Sequence, residues 1–202
     1  MVFDFRFPRE IGRFRRGTNS LLCTGFRFNS RRDRNHNAQA LRVNALANNE
    51  VGKYLNTYFV ASYQKVGTFR IVDGKKQGGN VASYFCTPDG QVLHALAGPV
   101  SAALMLREAR WVIETHKLAM LEGQDAPDRL NAFFGKAHAD RLWQEYSMRV
   151  DDSGQPPSRS AQVHLLLATA RNTSLGDIYR CVFENILQEK LSTNPVEIVP
   201  AP

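Results

Sequence analysis

The chain has 202 residues, of which 43% are hydrophobic and 22% charged, a balance that excludes a globally disordered, collagen-like or membrane-bundle protein. Its length suits one well-buried core with an appendage better than two full domains, because the buried fraction rises with size. The formal net charge of +7 is localised: residues 1–45 hold ten Arg against three acidic residues, and the remainder balances 16 basic against 16 acidic.

Residues 1–37 read as a basic N-terminal arm, partly ordered at best. Phe3, Phe5 and Phe7 alternate with other residues and suit a short edge strand with its arginines in water, and residues 20–28 allow a second strand. Arg13, Arg15, Arg16, Arg31, Arg32 and Arg34 are the anion-binding candidates, able to meet nucleic acid or an anionic membrane. The arm lacks the continuous apolar stretch of a secretory signal, and no span has the length of a transmembrane helix. Cys23, Cys86 and Cys181 stand far apart without a CxxC pair, so a reducing, cytoplasmic compartment is expected.

Helical spacing runs over 38–57 through Leu41, Leu46, Val51 and Leu55, weakened at Asn48 and Asn49, and two short helices fit it. Residues 58–66 and 68–72 suit strands, and 73–80, with three Gly and two Lys, suit a surface loop. Residues 81–87 and 91–97 form a hairpin about Pro88-Asp89-Gly90, with Gly in the left-handed position. Pro99 marks the start of a long amphipathic helix that ends at Gly123. Residues 128–148 read as a helix interrupted by Gly135, 151–160 as a linker, and 162–171 and 175–191 as two last helices. Ser174 and Asp177 form an imperfect capping box for the final one.

The order helix, strand, loop, strand, tight hairpin, strand, long helix over 38–121 resembles the thioredoxin-like fold, and the stretch from Cys86 to Gly98 carries most of the resemblance. The fold class expected is α/β, a thioredoxin-like sheet flanked by helices over 38–123 with a helical C-terminal extension over 124–202. The resemblance implies a dithiol that this chain lacks: upstream there is only Cys23, with Phe26 where a second thiol would stand. Gly79-Asn80-Val81-Ala82 occupies the place of the family's cis proline. Dithiol exchange needs a second, resolving thiol, so the reading is a redox-inactive module that binds or scaffolds a protein partner, with no cofactor.

The rival reading is a single-cysteine thiol enzyme. Pairing Tyr84 with His94 and Cys86 with Val92 would make Cys86 and His94 diagonal neighbours on one sheet face, where a histidine can favour the thiolate. Against it stands the tendency of cysteine to be an inert core residue. His36, His94, His116, His138 and His164 include no pair at i and i+4 and no cysteine at ligand spacing, so no metal is expected unless distant residues assemble a site. The Gly/Lys loop at 74–79 lacks Walker spacing, and the pair Asp151 and Asp152 has no calcium-loop context.

Overall fold

A computed structural model of the chain describes residues 2–8, 36–64, 70–72, 75–77, 79–189 and 191, and its architecture is mixed α/β. Strand β1 (Val2–Arg6) pairs antiparallel with β2 (Val60–Gln64) and parallel with β5 (Ala82–Cys86), which pairs antiparallel with β6 (Val92–Ala97). The sheet order is therefore β2-β1-β5-β6, and a separate two-stranded ribbon joins β3 (Arg70–Val72), within the strand expected over 68–72, to β4 (Lys75–Gln77), inside the segment expected to be a loop.

The edge strand expected around Phe3 to Phe7 is corrected: β1 lies in the interior of the sheet. Phe3, Phe5 and Phe7 bury one face, and Asp4 is only 6% exposed on the other, where it accepts a 2.8 Å bond from Arg6 Nε. That ion pair lets a strand with an alternating polar face be covered on both sides. Residues 2–6 are thus part of the sheet, although they fall within the segment read as an arm.

One face of the sheet packs on α1 (His36–Leu41), the π-helical turn Arg42–Leu46, α2 (Asn49–Tyr58) and α3 (Ala102–Leu121), through Leu41, Ala45, Val51, Leu55, Ala109 and Val112. Asn48 separates the two short helices because its side-chain oxygen accepts from the amides of Glu50 and Val51 at 2.9 and 3.2 Å, capping α2. The opposite face packs on α5 (Arg159–Thr169), α6 (Leu175–Cys181) and the π-helical turn Val182–Ile186, through Val163, Leu167, Ile178 and Phe183.

Gly90 takes φ +84°, the left-handed position expected of the hairpin turn. Helix α3 starts three residues after Pro99, because Ser101 accepts the Leu104 amide at 3.2 Å and acts as the cap. Helix α4 (Pro127–Tyr146) runs unbroken through Gly135, where a Cβ would meet the carbonyls of Leu167 and Ala168 on α5 at 3.8 Å, an ordinary contact distance. The helix expected over 175–191 stops earlier, and Gln188 turns out of it at φ +56°. Ser174 caps α6 as expected, its hydroxyl oxygen accepting the Asp177 amide at 3.3 Å while donating to Asp177 Oδ2 at 2.7 Å. Among the described residues no helix is long and apolar enough to cross a membrane.

Candidate metal centre

Strand β6 is an edge of the sheet, and an edge must be covered or left to water. The C-terminal half covers it: the Val92 amide donates to the Thr173 carbonyl at 2.7 Å, and Gln91 bridges to Ser174. Beside them the Leu93 carbonyl lies 2.9 Å from His138 Nε2 of α4. A carbonyl only accepts, so Nε2 carries the proton and His138 Nδ1 is an unprotonated lone pair.

That lone pair points at a second histidine. His138 Nδ1 lies 2.8 Å from His164 Nδ1, on α5. His94, projecting from β6 beside them, completes a cluster in which one nitrogen from each ring lies within 4.8 Å of the others. The three rings are 2%, 1% and 1% exposed, and neither nitrogen of His94 has a hydrogen-bond partner among the described residues. A buried imidazole without a partner forfeits its hydration, which costs about 1–3 kcal/mol unless something else occupies the lone pair.

The surroundings are aromatic on one side and ionic on the other. The Trp111 ring lies 5.3 Å from His94 and 5.0 Å from His138, and the Arg141 guanidinium stacks on it at 4.7 Å. Arg141 also donates to both oxygens of Glu108, at 2.6 and 3.2 Å, and Arg107 Nε donates to Oε1 at 2.9 Å. Glu108 Oε2 comes within 3.3 Å of His94 Nε2, close but misaligned for a full hydrogen bond. Burial alone would raise the Glu108 carboxyl, yet His94 and Arg141 hold it well below the usual carboxylate range. Burial, with His94 next, depresses His138 and pushes His164 down to about 3, so both are neutral at pH 7 and able to ligate.

Three buried imidazoles from three different elements are a donor set for a borderline transition ion such as Zn²⁺, leaving one tetrahedral position for water or another small ligand. A groove of about 880 Å³ lined by Arg107, Arg110, Glu114 and Glu145 opens on the outer side of Arg141 and Trp111, and those two residues wall it off from the histidines.

The expected pairing of Cys86 with His94 is corrected. A bulge at Phe85 and Cys86 sets Tyr84 opposite Ala95 and His94 opposite Phe85, while Cys86 keeps Val92. His94 therefore shares a face with Phe85, and Cys86 packs on the other face with Ala82, Tyr84 and Val92. Cys86 is fully buried, and its thiol is pushed up by that burial and then by the nearby Asp4 carboxylate, which is the reverse of activation. Arg13, Arg15, Arg16, Arg31, Arg32 and Arg34 lie outside the described residues, as does Cys23.

Spacing could not reveal the cluster, because its members are 44 and 26 residues apart on a strand and two helices. A subtler signal was present: His138 falls in the apolar series Leu130, Phe134, His138, Leu142, and His164 adjoins Val163 in the core-facing stripe of α5. Histidines in phase with the core on several elements are the trace such a site leaves. No protein-family model, no curated protein and no solved structure matches the chain.

Proposed function

We propose that this protein is a metal-binding domain in which one divalent transition ion, held by His94, His138 and His164, fastens the helical C-terminal half to the edge of the sheet. The observation that carries the reading is the convergence of three buried imidazoles, one of which makes no full hydrogen bond through either nitrogen among the described residues. Each comes from a different element, β6, α4 and α5, so a bond to the ion is also a tertiary crosslink. The burial of the rings favours a structural ion over one that turns over a substrate.

A thioredoxin-like outline is supported by the β5–β6 hairpin running into α3, and the buried, raised thiol of Cys86 is consistent with a domain that performs no dithiol exchange. Protein binding then belongs to the surface and the ion to the interior.

The test is metal analysis of the purified full chain, with cobalt(II) titration of the stripped protein. One ion per chain and a tetrahedral cobalt spectrum that disappears in His94→Ala and His138→Ala are expected. A chain that takes up no zinc, cobalt, nickel, copper or iron at micromolar concentrations defeats the proposal.

A further inference from the structure

We infer that Glu108 is the positioning carboxylate of this centre, fixing His94 through Nε2–H so that all three rings present Nδ1 to the ion; the inference rests on the metal reading above. Two of the three Nδ1 assignments come from geometry alone. His138 spends Nε2–H on the Leu93 carbonyl, and its Nδ1 faces His164 Nδ1 at 2.8 Å. For His94 the choice is made by Glu108, because Oε2 lies 3.3 Å from Nε2. A carboxylate accepts and never donates in its ionised form, so it favours the tautomer with the proton on Nε2 and frees Nδ1. Coordination at Nδ1 then draws the ring into line with its acceptor. Ligating histidines characteristically give their other N–H to a carboxylate or a carbonyl, and here Glu108 and Leu93 O supply one of each.

Glu108 itself stays in the outer layer. Arg141 grips both of its oxygens, at 2.6 and 3.2 Å, and Arg107 takes Oε1 at 2.9 Å, so the carboxylate is anchored by arginines while Oε2 also faces His94. Arg141 sits one turn beyond His138 on α4, and Glu108 lies one turn before Trp111 on α3. The helix that provides a ligand thus also provides the residue that holds the orienting carboxylate in place.

The experiment uses the full chain, labelled with ¹⁵N-histidine and loaded with zinc(II), and reads ring protonation from long-range proton–nitrogen correlations. His94 is expected to show Nε2–H with Nδ1 bound. In parallel, competition against a chromophoric chelator compares the zinc affinity of the wild type with Glu108→Gln, which is expected to weaken it about 10–100-fold. If the wild type binds zinc with His94 ligated through Nε2, or if a folded E108Q binds as tightly as the wild type, the role of Glu108 is overturned and the metal centre stands. If the wild type binds no zinc, the role of Glu108 falls, and if it takes up no cobalt, nickel, copper or iron either, the metal centre falls with it. Should E108Q fail to fold, the wild-type spectrum decides alone.

Discussion

The Nδ1 atoms of His138 and His164 lie 2.8 Å apart, and only one of them can carry a proton. Because His138 donates through Nε2 to Leu93, the proton belongs to His164 in the ion-free protein. A tetrahedral ion with bonds of about 2.0–2.1 Å would take that proton's place and hold the two nitrogens roughly 3.3 Å apart. Stripping the ion should therefore lower thermal stability. At a free ion concentration 100 times the dissociation constant, linkage is worth about 2.7 kcal/mol. Thermal unfolding with and without a chelator measures it, and an unchanged midpoint in wild type contradicts a crosslinking ion.

In the ion-free protein the same histidines make stability depend on pH. Both folded values are depressed, His164 to about 3, whereas an unfolded histidine titrates near 6.5. The unfolded chain therefore binds more protons below about pH 6.5, so stability is complete above that value and is lost as pH falls toward 3. Beside the cluster, Glu108, held well below the usual carboxylate range, and Arg141, raised, keep their charge between pH 7.5 and 5. Each histidine contributes a slope of about 1.4 kcal/mol per pH unit. Urea unfolding at pH 7.5, 6 and 5 should show the decline, and a flat profile would mean that the rings are not buried neutral.

Arg141→Met should destabilise the fold through Glu108. Removing one partner of a buried ion pair costs about 3–5 kcal/mol, and the lower end applies because Arg107 remains on Oε1. Replacing Glu108 and Arg141 together by apolar residues should cost less than the sum of the single changes. Additive costs in a double-mutant cycle would show that the pair does not act as one unit.

Cys86 should resist a disulfide reagent at pH 8 in the native protein and react at once after unfolding, because it is fully buried with a raised pKa. Native labelling of Cys86 at the rate of an exposed thiol would restore the single-cysteine enzyme.

Phe5→Ala should cost about 3–5 kcal/mol, the range for a fully buried phenylalanine. Phe5 lies between Phe59 and Phe85, with ring centroids at 6.4 and 5.4 Å. A loss below 1 kcal/mol, read by denaturant unfolding, would return residues 2–6 to the status of a dispensable arm.

Local chemistry was legible wherever one residue sufficed to specify it. Gly90 and Gly123 announced their turns, Asn48 the break between two helices, and Ser174 the start of α6. Non-local choices were not. The alternation of Phe3 and Phe5 with Asp4 and Arg6 reads as a half-exposed edge, and only the pairing of a buried Asp4 with a partly exposed Arg6 explains an interior strand. Gly135 reads as a helix interruption, yet α4 continues through it, because a glycine costs a helix only about 1 kcal/mol and the packing of α4 along α5 outweighs that. The bulge at Phe85 slips the hairpin by one residue, and one residue is enough to turn His94 away from Cys86 and toward His138.

The placement of β1 between β2 and β5 also constrains how the protein is made. Val2–Arg6 is synthesised before both of its neighbours, which lie near residues 60 and 85, so this strand waits through the synthesis of most of the sheet before it finds its slot. Closing those long loops is slow, and an aromatic strand held open meanwhile is exposed to mispairing. Refolding from denaturant should therefore have its slowest step in the docking of Phe3 and Phe5, with the β5–β6 hairpin already formed.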